Sequence, residues 1–268
     1  MIEMVVVLTI IGFVIASIVV GTDMIQAATI RAQISQIEKY KTAVVQFQNK
    51  YGYMPGDIPA ATAAKYALAA RAGTPGNGDG DGIVADTNNM AEGIFGSLAV
   101  TSGEEHFFWT DLSAAGLISG NFNDASATPT AMTWSAITTE VPAAAIGRHA
   151  VVTIAAVGLG ASPAFSRMTN YYCVWPITEI NVGAMSWNGT QINAFTPAEA
   201  YAIDAKIDDG WPRSGDVGAE SNEGGVISTP AFPLAPADGV CISNAAGNPY
   251  NLNYTWGATP SCDLLFKF

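Results

Sequence analysis

Residues 4–21 read MVVVLTIIGFVIASIVVG, a run in which only Thr9 and Ser17 are polar and no side chain is charged. Such a run is just long enough to cross the hydrocarbon core of a bilayer as a helix. It is apolar on every side, whereas a helix that packs on a protein core is apolar along one stripe. The run therefore predicts a membrane-spanning helix. The alternative is a secretory signal peptide, which Glu3 and the lack of a preceding basic residue argue against.

The helix is predicted to continue beyond this run with a different character. Apolar residues recur at spacings of three, four and seven, which places them on one helical face. They are Ile30, Ile34, Ile37, Val44, Phe47 and Tyr51. Gly52 and Pro55 then supply a stop signal. One helix of about fifty residues, roughly 75 Å long at 1.5 Å per residue, follows from the pattern.

Two parts are therefore expected. Residues 1–52 form the N-terminal helix, of which 1–23 are membrane-spanning and 24–52 are amphipathic. Residues 53–268 form a globular head. Within the head, the sequence predicts helices near 59–71 (ended by Gly73), 103–115 and 197–207, strands at 149–157 and 171–174, and long loops over a small sheet across 215–268.

The expected fold class is α+β, with the long helix packed against a small antiparallel sheet that carries extended loops. Residues 1–50 contain four basic and three acidic residues, and the remainder contains seven and twenty. An acidic head lacks the excess of cations that displaces counterions from phosphates, so nucleic acid is not an expected partner.

The three cysteines show no C-x-x-C spacing, so a redox motif or a cysteine zinc site is not expected. If the head leaves the cytoplasm, Cys241 and Cys262 are placed to close a C-terminal loop, with Cys173 left over as a small buried hydrophobe. The alternative is that all three remain thiols.

Glu3 opens the apolar run and Gly12 follows nine residues later. This spacing, followed by an amphipathic helix, resembles the N-terminus of mature type IV pilins and type II secretion pseudopilins. Further segments look like a subgroup of large bacterial prepilin-like proteins; they are YGYMPGD at 51–57, GNGDGDG at 76–82, WTDL at 109–112 and AKIDDG at 205–210.

The resemblance implies a structural subunit, not an enzyme, that polymerises into an extracellular type IV pilus-like filament. A prepilin peptidase would remove a leader and methylate the new N-terminus, and an inner-membrane platform would assemble the subunits. In the family the glutamate lies five residues in, so residues before Met1 are expected to be missing here. The family's kink-forming proline, expected near Val20, is absent. The alternatives are a type II secretion pseudopilin, a membrane-anchored binding protein that never polymerises, and, last, a membrane-anchored enzyme.

Glu3 is the expected register residue, because its carboxylate can pair with the N-terminal amine of a neighbouring subunit in the fibre. The alternative places it in the lipid headgroup region. Gly12 and Gly21 weaken the helix by about 1 kcal/mol each relative to alanine. We therefore expect the helix to unwind locally between Gly12 and Asp23 in the filament.

A possible calcium loop is formed by Asn77, Asp79, Asp81 and Asp86, whose oxygens alternate along the chain around a turn. Asn88 stands where an EF-hand would have its bidentate glutamate, so another segment would have to complete the ion's shell. The alternative is a solvated Asp-Gly turn.

Asp204 and Asp208, four residues apart, are spaced to share a helical face as a paired-carboxylate site. An exposed helix end is the simpler interpretation. The only histidines, His106 and His149, show neither nucleophile nor zinc spacing, so no catalytic residue is assigned.

Overall fold

The predicted N-terminal helix is present as one uninterrupted element, α1, over Ile2–Tyr51. It ends where Gly52 adopts a left-handed backbone with φ of 82° and donates its N–H to the carbonyl of Gln48 at 2.8 Å. Glycine suits this position because it has no Cβ to clash there. The computed structural model describes residues 2–71, 78–84, 103–122, 132–133, 138–157, 169–176, 179–180, 193–220, 240–243, 247, 249–253 and 260–268.

The other described elements alternate between short helices and strands. The helices are α2 (Ala60–Lys65), α3 (Gly103–Ala114) and α4 (Pro197–Ile207). The strands are β1 (Met132–Thr133), β2 (Ala150–Val157), β3 (Thr169–Pro176), β4 (Glu179–Ile180), β5 (Val217–Glu220) and β6 (Asp263–Lys267).

The main sheet has four antiparallel strands in the order β2-β3-β6-β5. Cys173 at the centre of β3 lies opposite Thr153 of β2 on one side and Leu265 of β6 on the other. Strands β1 and β4 form a separate antiparallel pair of two residues each. The protein is therefore α+β, with a long N-terminal helix packed against a small antiparallel sheet, as predicted.

Aromatic rings join α1 to the sheet. Tyr40 of α1 meets Trp109 of α3 edge-on at 4.9 Å between ring centroids, and it lies 6.1 Å from Tyr172 of β3. Tyr172 in turn stacks on Phe268 at 4.2 Å. Aromatic pairs of this kind contribute about 0.5–1.5 kcal/mol beyond the area they bury. The C-terminal half of α1 is thus part of the core of the head.

The predicted apolar face of α1 is confirmed. Ile37, Val44, Phe47 and Tyr51 are buried, and Ile30 and Ile34 are half-buried against the same core. Helix α3, strands β2 and β3, and helix α4 also lie where they were predicted.

The predicted helix at 59–71 is shorter than expected, because α2 stops at Lys65. Ala67 takes a left-handed φ of 55° and donates its N–H to the carbonyl of Ala64, while Leu68 donates to the carbonyl of Ala63. This paired bonding is the Schellman arrangement that closes a helix. Alanine is an unusual residue for it, which is why composition did not reveal the end. The expected stop at Gly73 lies outside the described residues.

The prediction of long loops across 215–268 is wrong in part, because β5 and β6 supply two strands of the main sheet. Leu264, Leu265 and Phe266 of β6 are all buried. Their short apolar run sits at the end of a segment rich in Gly, Pro and Asn, and it pairs with strands remote in sequence. Local composition carries no signal for such pairing.

Candidate functional site

The first half of α1 is uncovered. Every side chain from Glu3 to Val20 is exposed, with Phe13 at 76% and Leu8 at 69% of the full exposure. The most apolar window of the helix has a mean hydropathy of 2.8, and none of it is buried. An apolar surface of this extent requires lipid or protein to cover it. By length and composition α1 can cross a membrane, although a signal sequence near an N-terminus would meet the same test.

The few uncharged polar side chains in this half make their hydrogen bonds within the helix itself. The hydroxyl groups of Thr9, Ser17 and Thr22 donate to the carbonyls of Val6, Phe13 and Val19, each at 2.8 Å. A hydroxyl group that is already bonded can enter an apolar environment at a much lower cost than one that is not. Between Glu3 and Asp23 the helix is therefore compatible with dry surroundings on all sides.

Glu3, Gly12 and Gly21 lie on this uncovered half. The exposed Glu3 is in the first turn, where the helix dipole favours an acid. Apart from the adjoining residues and backbone of α1 itself, no atom lies within 4 Å of the position that a Cβ would take at Gly12 or Gly21. Packing within one subunit therefore does not require glycine at either place. The helix is continuous through both residues in the single chain.

Two glutamine side chains of α1 form hydrogen bonds with the head. The Gln33 side-chain oxygen accepts the N–H of Ile146 at 2.9 Å. Gln36 accepts the N–H of Ala145 and donates to the carbonyl of Ala143, both at 2.8 Å. These bonds replace water for backbone groups beside β2, so the head is held to α1 in a fixed axial position.

A hydrogen bond from α1 to an ion pair of the head extends this contact about two turns toward the N-terminus. Gln26 donates to the Glu199 carboxylate at 3.2 Å, and Arg148 binds the same carboxylate through both terminal nitrogens at 2.7 and 2.9 Å. Glu199 also accepts the N–H of Thr196 in the capping box that starts α4. Burial alone would raise the pKa of Glu199, but the hydrogen bonds and charge of Arg148, with the bond from Thr196, hold it below its usual value.

The loop that contains residues 78–82, here called the Gly-Asp loop, is held in place by carboxylates from other segments. Asp57 accepts the N–H of Gly80 on one oxygen at 2.6 Å and the N–H of Gly82 on the other at 2.7 Å. Glu104, at the start of α3, accepts the N–H of Gly78 at 2.8 Å. Asp57 and Glu104 are buried. Together they fix the backbone of residues 78–82.

Three carboxylates converge at this loop, from Asp57, Asp79 and Glu104, each offering an oxygen within 4.8 Å of the others. Burial, and then the charges of Asp81 and Asp79, raise the pKa of Asp57 to about 6 against the bonds from Gly80 and Gly82. These oxygens suit a hard cation such as calcium. The backbone N–H groups already satisfy Asp57 and partly satisfy Glu104, so the cluster can contribute to a cation's shell but does not need one.

Of the four predicted calcium ligands the structure describes Asp79 and Asp81, and these two take different roles. Asp79 joins Asp57 and Glu104, whereas Asp81 accepts the N–H of Ile83 at 2.7 Å in a tight turn. Asn77 and Asp86 lie outside the described residues. Sequence reasoning missed Asp57 and Glu104 as partners of the loop because both are far from it in sequence. The YGYMPGD segment, which ends at Asp57, was a signal for Asp57 alone.

Asp204 and Asp208 come together with Asp209 at the end of α4, each offering an oxygen within 4.8 Å of the other two, and both accept hydrogen bonds there. Asp204 is buried and accepts the hydroxyl proton of Tyr250 at 2.8 Å and the N–H of Gly210 at 3.1 Å, while Asp208 accepts backbone N–H groups of the turn before β5. Burial, and then nearby Asp209 and Asp208, raise the pKa of Asp204 to about 6 against these bonds. The acids fix a turn and hold the C-terminal segment to α4.

Cys241 and Cys262 form a disulfide with their Cα atoms 5.1 Å apart, which is the pairing that the sequence suggested. Cys262 immediately precedes β6, and Asn251 donates its N–H to the carbonyl of Cys241 at 2.8 Å. The bridge therefore secures the segment that carries Tyr250 against the sheet. Cys173 is buried in β3.

Comparison with known proteins returns no relative. No family model matches the chain, no curated protein is significantly similar to it, and no solved structure matches its fold.

Proposed function

We propose that this chain is a structural subunit that polymerises into an extracellular filament of the type IV pilus class. The observation that carries the proposal is the division of α1. One continuous helix is uncovered and apolar on all sides in its first half, while its second half is built into the core of the head. A simple membrane anchor needs no such rigid continuity with the domain that it carries.

Two environments can cover the exposed half in turn. In the inner membrane, lipid surrounds it, and its bonded hydroxyl groups suit that setting. In a filament, the same half of neighbouring copies would replace the lipid, and the acidic heads would form the outer surface. The Cys241–Cys262 disulfide supports a head that folds outside the cytoplasm, since such bonds persist in oxidising compartments.

The second candidate is a membrane-anchored protein that stays monomeric, which the same apolar helix would also serve. A type II secretion pseudopilin would polymerise but remain in the cell envelope. Location separates a pilus subunit from both of these alternatives. A pilus subunit is released by shearing cells, whereas a pseudopilin or a monomeric anchored protein stays with them.

Replacement of Glu3 tests the proposal in a strain whose own copy is deleted. We expect Glu3→Ala to accumulate in the membrane at the normal level and to yield at least about tenfold less sheared fibre, because the fibre then loses a carboxylate that pairs in an apolar setting. Immunoblots of sheared and membrane fractions measure both pools. Asp216→Asn, an exposed carboxylate on the head, is the matched control.

Absence of wild-type protein from the sheared fraction, with no fibre in electron micrographs, would refute the proposal. Normal fibre yield from Glu3→Ala would leave the filament standing and remove the role of this carboxylate.

A further inference from the structure

We infer that Asp23 of one subunit pairs with Arg31 of a neighbouring copy, and that this pair sets the axial offset between adjacent α1 helices in the fibre. The inference rests on the proposed function and names the surface through which copies of this chain recognise one another. Between Glu3 and Glu38, Asp23 and Arg31 are the only charged residues of α1.

Neither residue has a partner within its own helix. Side chains on a helix meet at separations of three or four residues. No basic residue lies at those distances from Asp23, and no acidic residue lies at those distances from Arg31. Both side chains are exposed, and no ion pair to either is formed within the described part of the chain. At eight residues apart they are separated by about 12 Å along the axis, too far to meet in one subunit.

Asp23 lies inside the surface that must be covered. The exposed apolar stretch does not end before it, because Met24 and Ile25 are 69% and 68% exposed. Neighbours that cover these two side chains also remove Asp23 from water. A carboxylate buried without a partner costs several kcal/mol, so the contact requires a cation.

Among the cations of α1, Arg31 is the one that a neighbour presents at the smallest axial offset, and Arg148 of the head is already bound to Glu199. It lies on the exposed side of α1 just before the head closes over Gln33. Its long side chain can lie along apolar surface with the guanidinium at a carboxylate, which it can bind through two nitrogens. Lys39, the next exposed cation, would require an offset of about 24 Å.

Beyond the contact proposed for Glu3, the apolar surface itself offers no directional contact between neighbouring helices. The run over 4–22 consists largely of Val, Ile and similar side chains, whose attraction is not directional. Two such helices can slide past one another at little cost. A charge pair with a fixed spacing selects one offset near 12 Å, as polar groups fix register in coiled coils.

A double-mutant cycle of charge-neutralising substitutions in the full-length chain tests the pair. Asp23→Asn and Arg31→Gln are each expected to lower sheared fibre yield about tenfold at equal membrane level, because each leaves one charge buried alone. The double variant is expected to recover to within about threefold of wild type. Asp23→Asn combined with Lys39→Gln serves as the matched control and is expected to stay as low as Asp23→Asn.

Exchange of the charges, Asp23→Arg with Arg31→Asp, is expected to restore fibres that either reversal alone abolishes. Single variants with normal fibre yield would overturn the pair while leaving the filament intact. The same conclusion would follow if the loss of fibre yield in the double variant equalled the product of the two single losses. Absence of fibres from the wild-type chain would overturn both the pair and the proposed function.

Discussion

Two buried carboxylates, Asp57 and Asp204, hold protons more tightly in the folded head than in the unfolded chain. Burial is the main cause at both sites, and neighbouring aspartates add to it, so both pKa values rise to about 6. The folded state therefore binds more protons than the unfolded state between about pH 4 and 6. Across that interval these groups lower the free energy of unfolding as pH rises, and above pH 6 the loss is complete.

Neutralising Asp204 should reduce this dependence. We expect wild-type stability to fall between pH 5.0 and 7.5, and Asp204→Asn to show a shallower fall, because its amide resembles the protonated acid and keeps an acceptor for Tyr250 or Gly210. Only about one unit of the rise to a pKa of about 6 lies above pH 5.0, and one unit corresponds to about 1.4 kcal/mol, which is the ceiling for the difference in this interval. Thermal unfolding in mild detergent at the two pH values measures it.

Asp216→Asn provides the control, because Asp216 is exposed and does not contact Asp204. The free energy of unfolding of this variant should fall with rising pH as steeply as that of the wild type. The account of Asp204 fails if Asp204→Asn keeps that slope as well. Asp57 remains in both variants, so part of the dependence should persist.

At the scale of elements, α1 is one helix with two environments. The head secures it from Gln26 onward, whereas nothing within the subunit packs on Gly12 or Gly21. Glycine and the β-branched Ile18, Val19 and Val20 all have modest helix propensity. The weak segment therefore lies wholly in the exposed part of the helix, which under the proposed function exchanges lipid for neighbouring subunits.

We expect this segment to be helical in bilayers and locally unwound in the fibre. An unbonded backbone is too costly in lipid, but tight packing among subunits can offset it. Solid-state NMR of chain labelled at valine reads the backbone of Val19 and Val20 in both settings. The shifts should leave the helical range only in fibres. Helical shifts in both would rule out unwinding at these residues and leave the inferred spacing from Asp23 to Arg31 unaffected.

Local signals explain what could be predicted at this scale. The uniform apolar run and the regular spacing after it defined α1, and the capping box Thr196-Pro-Ala-Glu199 defined the start of α4 without tertiary information. The left-handed Ala67 that ends α2 has no such signal, because alanine rarely adopts that conformation.

Features that depend on distant parts of the chain were missed. Strand β6 owes its central place in the sheet to pairing with β3, about ninety residues earlier. Asp57 and Glu104 meet at the Gly-Asp loop because α1 and α3 pack on one core, which alternation of aspartates within the loop cannot reveal. The sequence pattern located an acidic loop but not the groups that fold it.

For the whole molecule, the division of α1 predicts that assembly can be separated from folding. A fragment of residues 25–268 lacks most of the uncovered apolar half but keeps every part of α1 that the head buries. We expect it to be soluble and monomeric, since the apolar face of the remaining helix is buried against the core of the head. Light scattering coupled to size exclusion measures its mass.

Fibres formed by this fragment would place the assembly contacts elsewhere in the chain. Insolubility after refolding would also contradict the expectation, because the head would then depend on contacts from other copies.

The central claim is that the uncovered half of α1 forms the core of a filament. Cryo-electron microscopy of fibres sheared from cells tests it most directly, because a map at side-chain resolution identifies both the polypeptide and the position of its helix. We expect residues 3–25 of many copies packed around the fibre axis, with the acidic heads outside. Sheared fractions without this polypeptide, or a fibre in which that half of α1 lies at the surface, would contradict the account.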